Sequence, residues 1–403
     1  MQGTLGGLLE GLSRRQFLAT LAATTGLTAL AGQARAVPRS TPAGPFVETR
    51  LINPPRLETA NLGEQILCYR PMRKGSPRLG LEQIGPMTVV HNYGHGGSGW
   101  TLAPGSAQYV VDLVDSSKEN IAKTAPVTVL GAGVIGLFTA YELVKRGYTN
   151  ITVVADRFDR LTSHNAGGLL APVSMDNNPQ MQVVIDRIGI DAYRFYASVA
   201  RGVNSDFQTG AVVVPAYFTT REESGLEPYV GKVMGPAKAV ILDFGNGTKR
   251  PMVAYDDGIF MDPGGMMQGL TDFLKDKVVF RQAKINEFSE LRTNLVFNCT
   301  GLGAAKLGDD KNMVSVQGHL VMLKNQVPAD LQSMFLVYLP EGKTVSGQKV
   351  KRSFYLFPKR LPGAASEDIG VIGGTFIEGG SPETPNPKEF ELLVQGARRF
   401  YGL

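Results

Sequence analysis

Three glycines in the middle of the chain, Gly131, Gly133 and Gly136, follow the pattern Gly-x-Gly-x-x-Gly. A β-branched run at residues 127–130 precedes them, and apolar residues with a period of 3.6 follow over residues 134–144, which predicts a strand, a tight turn and a helix. The first glycine permits the turn, the second admits a pyrophosphate, and the third lets the helix pack closely on the strand. Free N–H groups at the start of the helix favour a bound phosphate. We therefore expect a dinucleotide site.

A second predicted strand, residues 151–154, leads to Asp156, which lies 20 positions after Gly136. An acidic residue at this distance binds the adenosine ribose hydroxyls in dinucleotide-binding folds. The pattern alone does not distinguish NAD from FAD, and a glycine-rich turn without a ligand is the alternative interpretation.

Other segments resemble the D-amino acid oxidase family of flavoproteins. The most specific is HNYGHGGSGWT at residues 91–101, a run nearly diagnostic of D-amino acid and D-aspartate oxidases. YRPMR at residues 69–73 and SFYLFP at residues 353–358 resemble the segments that carry the family's carboxylate-binding arginine and active-site tyrosine. The remaining similar segments are residues 154–158, 162–172, 298–301, 314–322 and 370–374. The resemblance covers most of the chain after residue 36 and implies FAD as the cofactor.

The resemblance implies three catalytic residues. Arg70 would bind the substrate carboxylate, because a planar guanidinium meets a carboxylate with two parallel hydrogen bonds. The Tyr355 hydroxyl would add another hydrogen bond, and the Gly97 carbonyl would accept one from the substrate amine. A substrate that binds as the free amine needs no side-chain base, so none is assigned, and His95 is not expected to act as one. A surface arginine and a core tyrosine are the alternative interpretations of Arg70 and Tyr355.

The expected cofactor-binding residues come from the fingerprint, the loop that passes under the flavin and the early glycine tract. They are Gly131, Gly133, Val134, Ile135, Gly136, Asp156, Arg157, Thr162, Ser163, Gly168, Leu169, Ile285, Gly301, Gly96, Gly97, Ser98, Gly99, Trp100 and Thr101. A predicted helix over residues 106–114, with Ser106 as its cap, would direct its N-terminus towards the C2 region of the flavin.

The order of these motifs differs from that of the family. Residues 69–73 and 91–101 resemble segments near the family's C-terminus, yet here His91 lies 40 positions before Gly131. This order indicates a circular permutation with residues 115–126 as the new joint. Domain termini commonly lie near each other at the surface, and twelve linking residues reach about 40 Å when extended, so the contacts need not change.

Two residues depart from the family pattern. Ala171 stands where the flavin loop usually has Gln, and Lys351 stands where the family has its mobile active-site tyrosine. With Arg352 beside it, Lys351 suggests a basic lid and a preference for acidic D-amino acids. A solvated basic loop is the alternative, and we rank it higher.

The first 36 residues predict an export signal. Arg14 and Arg15 directly precede an apolar, small-residue run over residues 17–34, and Ala34-Arg35-Ala36 fits the small-x-small pattern that signal peptidase accepts. Paired arginines before such a run are typical of twin-arginine signals. We therefore expect the twin-arginine translocase as a partner and a periplasmic or secreted mature protein, with an N-terminal membrane anchor as the alternative.

The composition excludes several classes of protein. With 403 residues, 43% hydrophobic and 19% charged, the chain is neither disordered nor a polytopic membrane protein. A net charge of +5, without aromatic residues interleaved among basic runs, gives little support to nucleic-acid binding. His91 and His95 lie in a glycine-rich segment where no helix is expected to hold them on one face, so no metal site is predicted. The pairing of Cys68 with Cys299 and the oligomeric state stay open.

We expect an α/β fold with a discontinuous FAD-binding Rossmann-type domain and a mixed-sheet substrate domain. The FAD-binding segments are residues 58–180, 265–310 and 368–403; the substrate-domain segments are residues 181–264 and 311–367; residues 37–57 form a linker.

The predicted activity is FAD-dependent oxidation of the CH–NH2 group of D-amino acids by hydride transfer to the flavin. The products would be the imino acid or 2-oxo acid, ammonia and, with oxygen as acceptor, hydrogen peroxide. A dehydrogenase that passes electrons to a quinone, a non-catalytic flavin-fold binding protein and an NAD-dependent dehydrogenase are the alternatives.

Overall fold

The computed structural model of the protein describes residues 47–117 and 121–403. The predicted export signal and residues 37–46 of the predicted linker lie outside these residues, and the described remainder of the linker contains strand β1. In the described ranges the strands, in chain order, are β1 (Glu48–Leu51), β2 (Leu62–Arg73), β3 (Arg78–Ile84), β4 (Met87–Tyr93), β5 (Val127–Leu130), β6 (Ile151–Ala155), β7 (Ala211–Val213), β8 (Ala216–Phe218), β9 (Lys238–Asp243), β10 (Lys249–Tyr255), β11 (Ile259–Met261), β12 (Val279–Gln282), β13 (Leu295–Asn298), β14 (Met313–Leu323), β15 (Met334–Tyr338), β16 (Gly342–Lys343), β17 (Lys349–Phe357) and β18 (Val371–Glu378).

The described α-helices lie between these strands and after the last of them. They are α1 (Gly99–Asp115), α2 (Val134–Lys145), α3 (Thr162–Asn165), α4 (Pro179–Ala200), α5 (Pro263–Leu274), α6 (Ala304–Leu307) and α7 (Pro387–Tyr401). None of the helices in this part of the chain is long and apolar enough to cross a membrane.

A six-stranded sheet forms the first layer, in the order β12-β6-β5-β13-β4-β3. All neighbouring strands are parallel except the edge pair β3–β4. Its central strands are runs of buried residues, as expected when helices cover both faces of a parallel sheet. The predicted strand–turn–helix is confirmed as β5 and α2.

The register of this sheet aligns the carboxyl ends of three strands. Asn298 of β13 pairs with Leu130 of β5 on one side and with His91 of β4 on the other. The segments that leave these strands are the glycine tract after β4, the fingerprint after β5 and the turn after β13. Ligands of open α/β sheets bind beyond the carboxyl ends of such strands, so the register brings the predicted segments to one edge.

A ten-stranded mixed sheet forms the second layer, in the order β1-β9-β10-β8-β15-β17-β18-β14-β2, with β16 paired to β17. Helix α7 packs on β14, β17 and β18 and buries Phe390, Phe400 and Tyr401 with the apolar face of the sheet. The segment Gly245-Asn246-Gly247 lies between β9 and β10, which pair antiparallel as a hairpin.

The assignment of some segments to layers differs from the expected domain division. Residues 368–403 were expected in the FAD-binding domain, but β18 hydrogen-bonds to β14 and β17 on both of its edges. Strand β2, within the expected FAD-binding segment 58–180, pairs with β14 at the edge of the same sheet. Long-range strand pairing therefore determines the layer, and the local sequence of these segments does not reveal it.

Helix α1 begins earlier than predicted. The sequence favours a start at Ser106, but the helix runs from Gly99 and continues through Pro104. Proline removes the N–H that would bond to the carbonyl four residues back, which here is the Trp100 carbonyl. The buried Tyr196 hydroxyl donates to that carbonyl at 2.8 Å instead. A tertiary hydrogen bond therefore satisfies the group that proline leaves unpaired.

Replacement of Tyr196 tests this compensation. Tyr196→Phe leaves the Trp100 carbonyl buried and unpaired, which should lower the free energy of unfolding by about 1–2 kcal/mol. Tyr229→Phe is the matched control, because the Tyr229 hydroxyl is also buried but has no partner among the described residues. We expect Tyr229→Phe to leave stability within about 0.5 kcal/mol of the wild type in urea unfolding. Equal losses in the two variants would contradict the role given to Tyr196.

Candidate active site

A cleft of about 480 Å³ opens at the carboxyl edge of the six-stranded sheet. Its walls include the segments that follow β4, β5, β6 and β13, together with side chains from β2, β15 and β17 of the ten-stranded sheet. Residues from both layers therefore face one cavity.

Most of the sequence-predicted site residues line this cleft. They are Arg70, Gly96, Gly97, Gly99, Trp100, Gly131, Gly133, Val134, Ile135, Asp156, Arg157, Thr162, Ser163, Gly168, Leu169, Ile285, Gly301 and Tyr355. Gly136, Ser98 and Thr101 do not line it, and each of the three is instead packed or hydrogen-bonded behind the wall.

The fingerprint glycines are required by close backbone packing. Gly131 has a φ of +101°, and a Cβ there would lie 2.5 Å from the Cys299 carbonyl oxygen. A Cβ on Gly136 would lie 1.9 Å from the Gly131 carbonyl oxygen, so Gly136 supports the turn from behind. Gly133 faces the cleft, and the following N–H, that of Val134, donates to Ser163 Oγ at 2.9 Å. Ser163 thus accepts from the first N–H of α2, while Gly133 leaves the turn without a side chain where it faces the cleft.

Backbone hydrogen bonds hold the early glycine tract against the later loop. The Gly97 N–H donates to the Ser174 carbonyl at 2.9 Å, and the Ser98 hydroxyl donates to the Val173 carbonyl at 2.6 Å. A Cβ on Gly96 would lie 2.4 Å from the Ser174 carbonyl oxygen. Only a residue without a side chain permits this approach.

Two further contacts continue the same junction. The Thr101 hydroxyl donates to the Ala171 carbonyl at 3.0 Å and accepts from the Ala171 N–H at 3.1 Å. The Trp100 indole donates to the Ser163 carbonyl at 2.9 Å. Ala171, which stands where the family usually has Gln, is therefore held through its backbone N–H and carbonyl. The presence of Ala instead of Gln leaves this junction intact.

Two residues of the cleft wall, His95 and Asn92, carry polar atoms without partners. His95 Nε2 and Asn92 Oδ1 are buried and have no hydrogen-bond partner among the described residues. Buried polar atoms are normally paired, so these two atoms indicate a ligand. Burial lowers the pKa of His95 to about 4, so its ring is neutral near pH 7 and is a weak base.

These observations fit FAD. The Gly131–Val134 turn would hold the pyrophosphate, and the exposed Asp156 carboxylate at the end of β6 would bind the ribose. His95 and Asn92 would supply hydrogen-bonding groups within the cleft.

Arg70 lies on β2 at one end of the cleft. Its Nη1 donates to the Thr375 carbonyl at 2.8 Å, which fixes the guanidinium plane. A Cβ on Gly97 would lie 3.2 Å from Arg70 Cδ, so these two predicted catalytic residues are neighbours. In the described part of the chain Arg70 forms no ion pair with a carboxylate. Its remaining N–H groups are therefore free to bind an anion.

Tyr355 lies on β17 and is 7% exposed. Its ring stacks on Phe357 at a centroid distance of 4.6 Å and lies against Gly373 and Gly374, where a Cβ would approach the ring to 2.2 Å. Burial raises the pKa of Tyr355, and the positive charge of Arg70 opposes this only in part. Tyr355 is therefore a neutral phenol that can donate a hydrogen bond.

Sequence reasoning missed Lys359, because a single lysine after a strand carries no pattern. It is 2% exposed, and its ammonium donates to the His164 and Ala166 carbonyls at 2.7 and 2.6 Å. Both carbonyls belong to the loop that contributes Thr162 to Leu169 to the cleft wall. Burial lowers the pKa of Lys359 to about 8. Lys359 therefore positions the cofactor loop from behind.

The structure does not support the predicted basic lid. Lys351 is exposed and lies 3.6 Å from the Glu341 carboxylate, and Arg352 makes two hydrogen bonds to the buried Glu389. Neither residue lines the cleft, and each cation lies beside a carboxylate outside it. Tyr338 of β15, which the sequence did not single out, lines the cleft instead.

Cys68 and Cys299 are both buried and free, so they do not pair with each other. Cys299 Sγ lies 3.6 Å from the Thr139 hydroxyl. Within residues 47–117 and 121–403, no three His, Cys, Asp or Glu side chains are grouped so that they could hold a metal ion.

The fold and the cleft define an FAD-dependent oxidoreductase of the α/β class, with a Rossmann-type layer and a mixed-sheet layer as predicted. The family model described as DAO, FAD dependent oxidoreductase, matches residues 126–402. The chain therefore belongs to this family and is an FAD-dependent enzyme. The family match does not include the early glycine tract.

Two D-amino-acid oxidases are similar to this chain at low sequence identity. A D-amino-acid oxidase of Fusarium vanettenii is 23% identical over 300 residues, which cover 67% of this chain and 76% of that protein. A D-amino-acid oxidase of Streptomyces coelicolor is 27% identical over 279 residues, which cover 67% of this chain and 75% of that protein. The crystal structure of a glycine oxidase from Bacillus cereus aligns with a TM-score of 0.49 at 15% identity and covers 68% of this chain and 79% of that one.

The titration of Lys359 predicts a pH-dependent stability. The pKa of Lys359 is about 8 in the folded protein, compared with an ordinary value of 10.5. The unfolded chain therefore binds more protons than the folded protein between these two pH values. Stability due to Lys359 should therefore rise as the pH increases from about 8 to 10.5 and be constant below that window. The free energies of unfolding of the wild type and of Lys359→Met, measured in urea, should differ by an amount that grows as the pH rises through this window. The difference between the wild type and the control Lys351→Met should not change with pH in this way. A flat difference for Lys359→Met would refute the buried ammonium.

Proposed function

We propose that the protein oxidises the CH–NH2 group of D-amino acids to the imino acid, which water converts to the 2-oxo acid and ammonia. The observation that carries this proposal is the guanidinium of Arg70, free of any carboxylate in the described residues and adjacent to Gly97. When bound, FAD supplies the acceptor for the hydride of the substrate Cα. Dioxygen is the proposed final acceptor, with hydrogen peroxide as its product.

The residues around Arg70 bind and orient the substrate. The bond from Arg70 to the Thr375 carbonyl holds the guanidinium so that its other N–H groups can bind the carboxylate from the cleft. The neutral phenol of Tyr355 adds a donor, and the Gly97 carbonyl accepts from the amine. Phe357 and Leu336 provide apolar walls that exclude water. A substrate that binds as the free amine requires no proton transfer to His95, which is a weak base.

Substitution at Arg70 tests the proposal. We expect Arg70→Lys to lower kcat/KM for a neutral D-amino acid by roughly 100-fold, because the two parallel hydrogen bonds are lost. Tyr355→Phe should cost about tenfold, since one hydrogen bond is removed. Lys351→Met, an exposed position outside the cleft, is the control and should retain wild-type activity.

The assay uses purified FAD-loaded protein with D- and L-amino acids. Flavin bleaching by a D-amino acid without oxygen, followed by peroxide release in air, is the expected result. Bleaching without peroxide release would support the dehydrogenase alternative, in which a quinone is the acceptor. The proposal fails if no D-amino acid bleaches the flavin.

We also propose that the chain is a circular permutation of the family fold. The family match begins at residue 126, while the early glycine tract contributes to the same cleft as the fingerprint. The Arg398 guanidinium donates to the Leu57 carbonyl at 3.3 Å, so the end of α7 lies close to the segment that enters β2. A short direct connection between these segments is therefore geometrically feasible, and it would be the ancestral one.

A chain with the reversed order tests the permutation. It would begin at residue 124, continue to residue 403 and join there, through a short Gly-Ser linker, to residues 58–117. We expect it to fold and to bind FAD with an absorbance spectrum like that of the present order, because the contacts of both layers are retained apart from those of the edge strand β1 and of Leu57. An insoluble or flavin-free product, with the present order expressed in parallel, would count against the proposal.

Export by the twin-arginine pathway remains a proposal that rests on the sequence of residues 1–36. Its support is the Arg14-Arg15 pair before a mildly apolar run. N-terminal sequencing of the protein from a periplasmic fraction should find Val37 as the first residue, and an intact N-terminus would argue for an anchor.

A further inference from the structure

A carboxylate oxygen lies unpaired beside the cleft. Glu223 belongs to a short 3-10 turn, Glu222–Ser224, and its Oε2 is buried without a hydrogen-bond partner among the described residues. The turn itself is well held, because the Ser224 hydroxyl contacts both the Arg221 carbonyl and the Tyr255 hydroxyl. Glu223 is thus held in a fixed place while one of its acceptor atoms is unused. No Lys, Arg or His among the described residues forms an ion pair with this carboxylate, so its negative charge is uncompensated beside the cleft.

The space in front of Glu223 joins the active-site cleft. A shallow side cavity, open to solvent, is lined by Pro172, Val173, Glu222, Glu223, Gly225 and Tyr338. Val173 and Tyr338 line the main cleft as well. A molecule bound at Arg70 can therefore extend past Tyr338 into the side cavity.

The two ends of this space carry opposite charges. Tyr338 lies close enough to Glu223 and to Arg70 for both charges to affect its pKa. Burial raises the pKa of Tyr338, the charge of Glu223 raises it further, and the charge of Arg70 opposes the rise. Arg70 at one end fits a carboxylate, and Glu223 at the other fits a cation. The cationic residues Lys351 and Arg352, which the sequence suggested for the lid, are bound to Glu341 and Glu389 away from the cleft.

We propose that the protein prefers D-amino acids with a cationic side chain, such as D-lysine or D-arginine. Arg70 binds the α-carboxylate, and the Glu223 carboxylate binds the ammonium or guanidinium at the far end of the side chain. This inference rests on the proposed oxidation of D-amino acids and names its substrate class. It reverses the acidic preference that Lys351 suggested, because the charge left unpaired beside the cleft is negative.

The test compares D-arginine with D-citrulline, its neutral isostere, on the FAD-loaded full chain. We expect kcat/KM for D-arginine to exceed that for D-citrulline by tenfold or more, as a hydrogen bond to a charged group provides. Glu223→Gln should reduce this ratio to about one by lowering kcat/KM for D-arginine. The bound flavin and the urea-unfolding midpoint of the variant, measured in parallel, show whether it is folded. Glu222→Gln, the exposed neighbour in the same turn, should keep the ratio within about twofold because solvent screens its charge.

The outcomes separate this inference from the proposed function. A wild-type ratio near one, with D-citrulline or other neutral D-amino acids turned over, overturns the role of Glu223 but leaves D-amino acid oxidation standing. A high ratio that Glu223→Gln does not change also overturns it. If no D-amino acid reduces the flavin, both the proposed function and this inference fall.

Discussion

The site depends on one backbone junction between segments that are distant in the chain. Residues 97–101 are hydrogen-bonded to residues 163–174, and the Thr101 hydroxyl satisfies both backbone groups of Ala171. The glycines at this junction let the two backbones approach more closely than a Cβ atom would permit. The same contact places Gly97 beside Arg70, so the cofactor wall and the substrate anchor have a common support. Loosening the junction would disturb both together.

The six-stranded sheet makes this junction possible. Because β4 pairs in parallel with β13, the glycine tract leaves the sheet at the same edge as the fingerprint after β5. These strands are buried on both faces, and a shift of one residue would exchange their faces. Packing thus fixes the register, and the register fixes the site. Such contacts depend on which strands are neighbours and not on their order along the chain.

The sequence predicted the parts of the site that local motifs encode. The fingerprint, Asp156 and the glycine tract have fixed spacings with a stereochemical cause, and the YRPMR context distinguished Arg70 from other arginines. No local pattern identifies Lys359 or Glu223. The role of Lys359 depends on two loop carbonyls that the fold brings near it, and that of Glu223 on the lack of a partner for its carboxylate among the described residues. The early start of α1 was missed for the same reason. Local rules disfavour a helix through Pro104, and the compensating Tyr196 hydroxyl comes from a distant helix.

The electrostatics of the cleft follow from which charges are already paired. Lys351 and Arg352 lie close to Tyr355 in sequence, yet each lies beside a carboxylate outside the cleft. Ser353, Tyr355 and Phe357 of β17 line the cleft, whereas Arg352 and Lys351 do not, so proximity in sequence does not mean proximity to the cleft. Arg70 has only a carbonyl as partner, and Glu223 retains an unpaired oxygen. The potential that a substrate meets is therefore that of the unpaired groups, and formal charge near a motif is a poor guide to it.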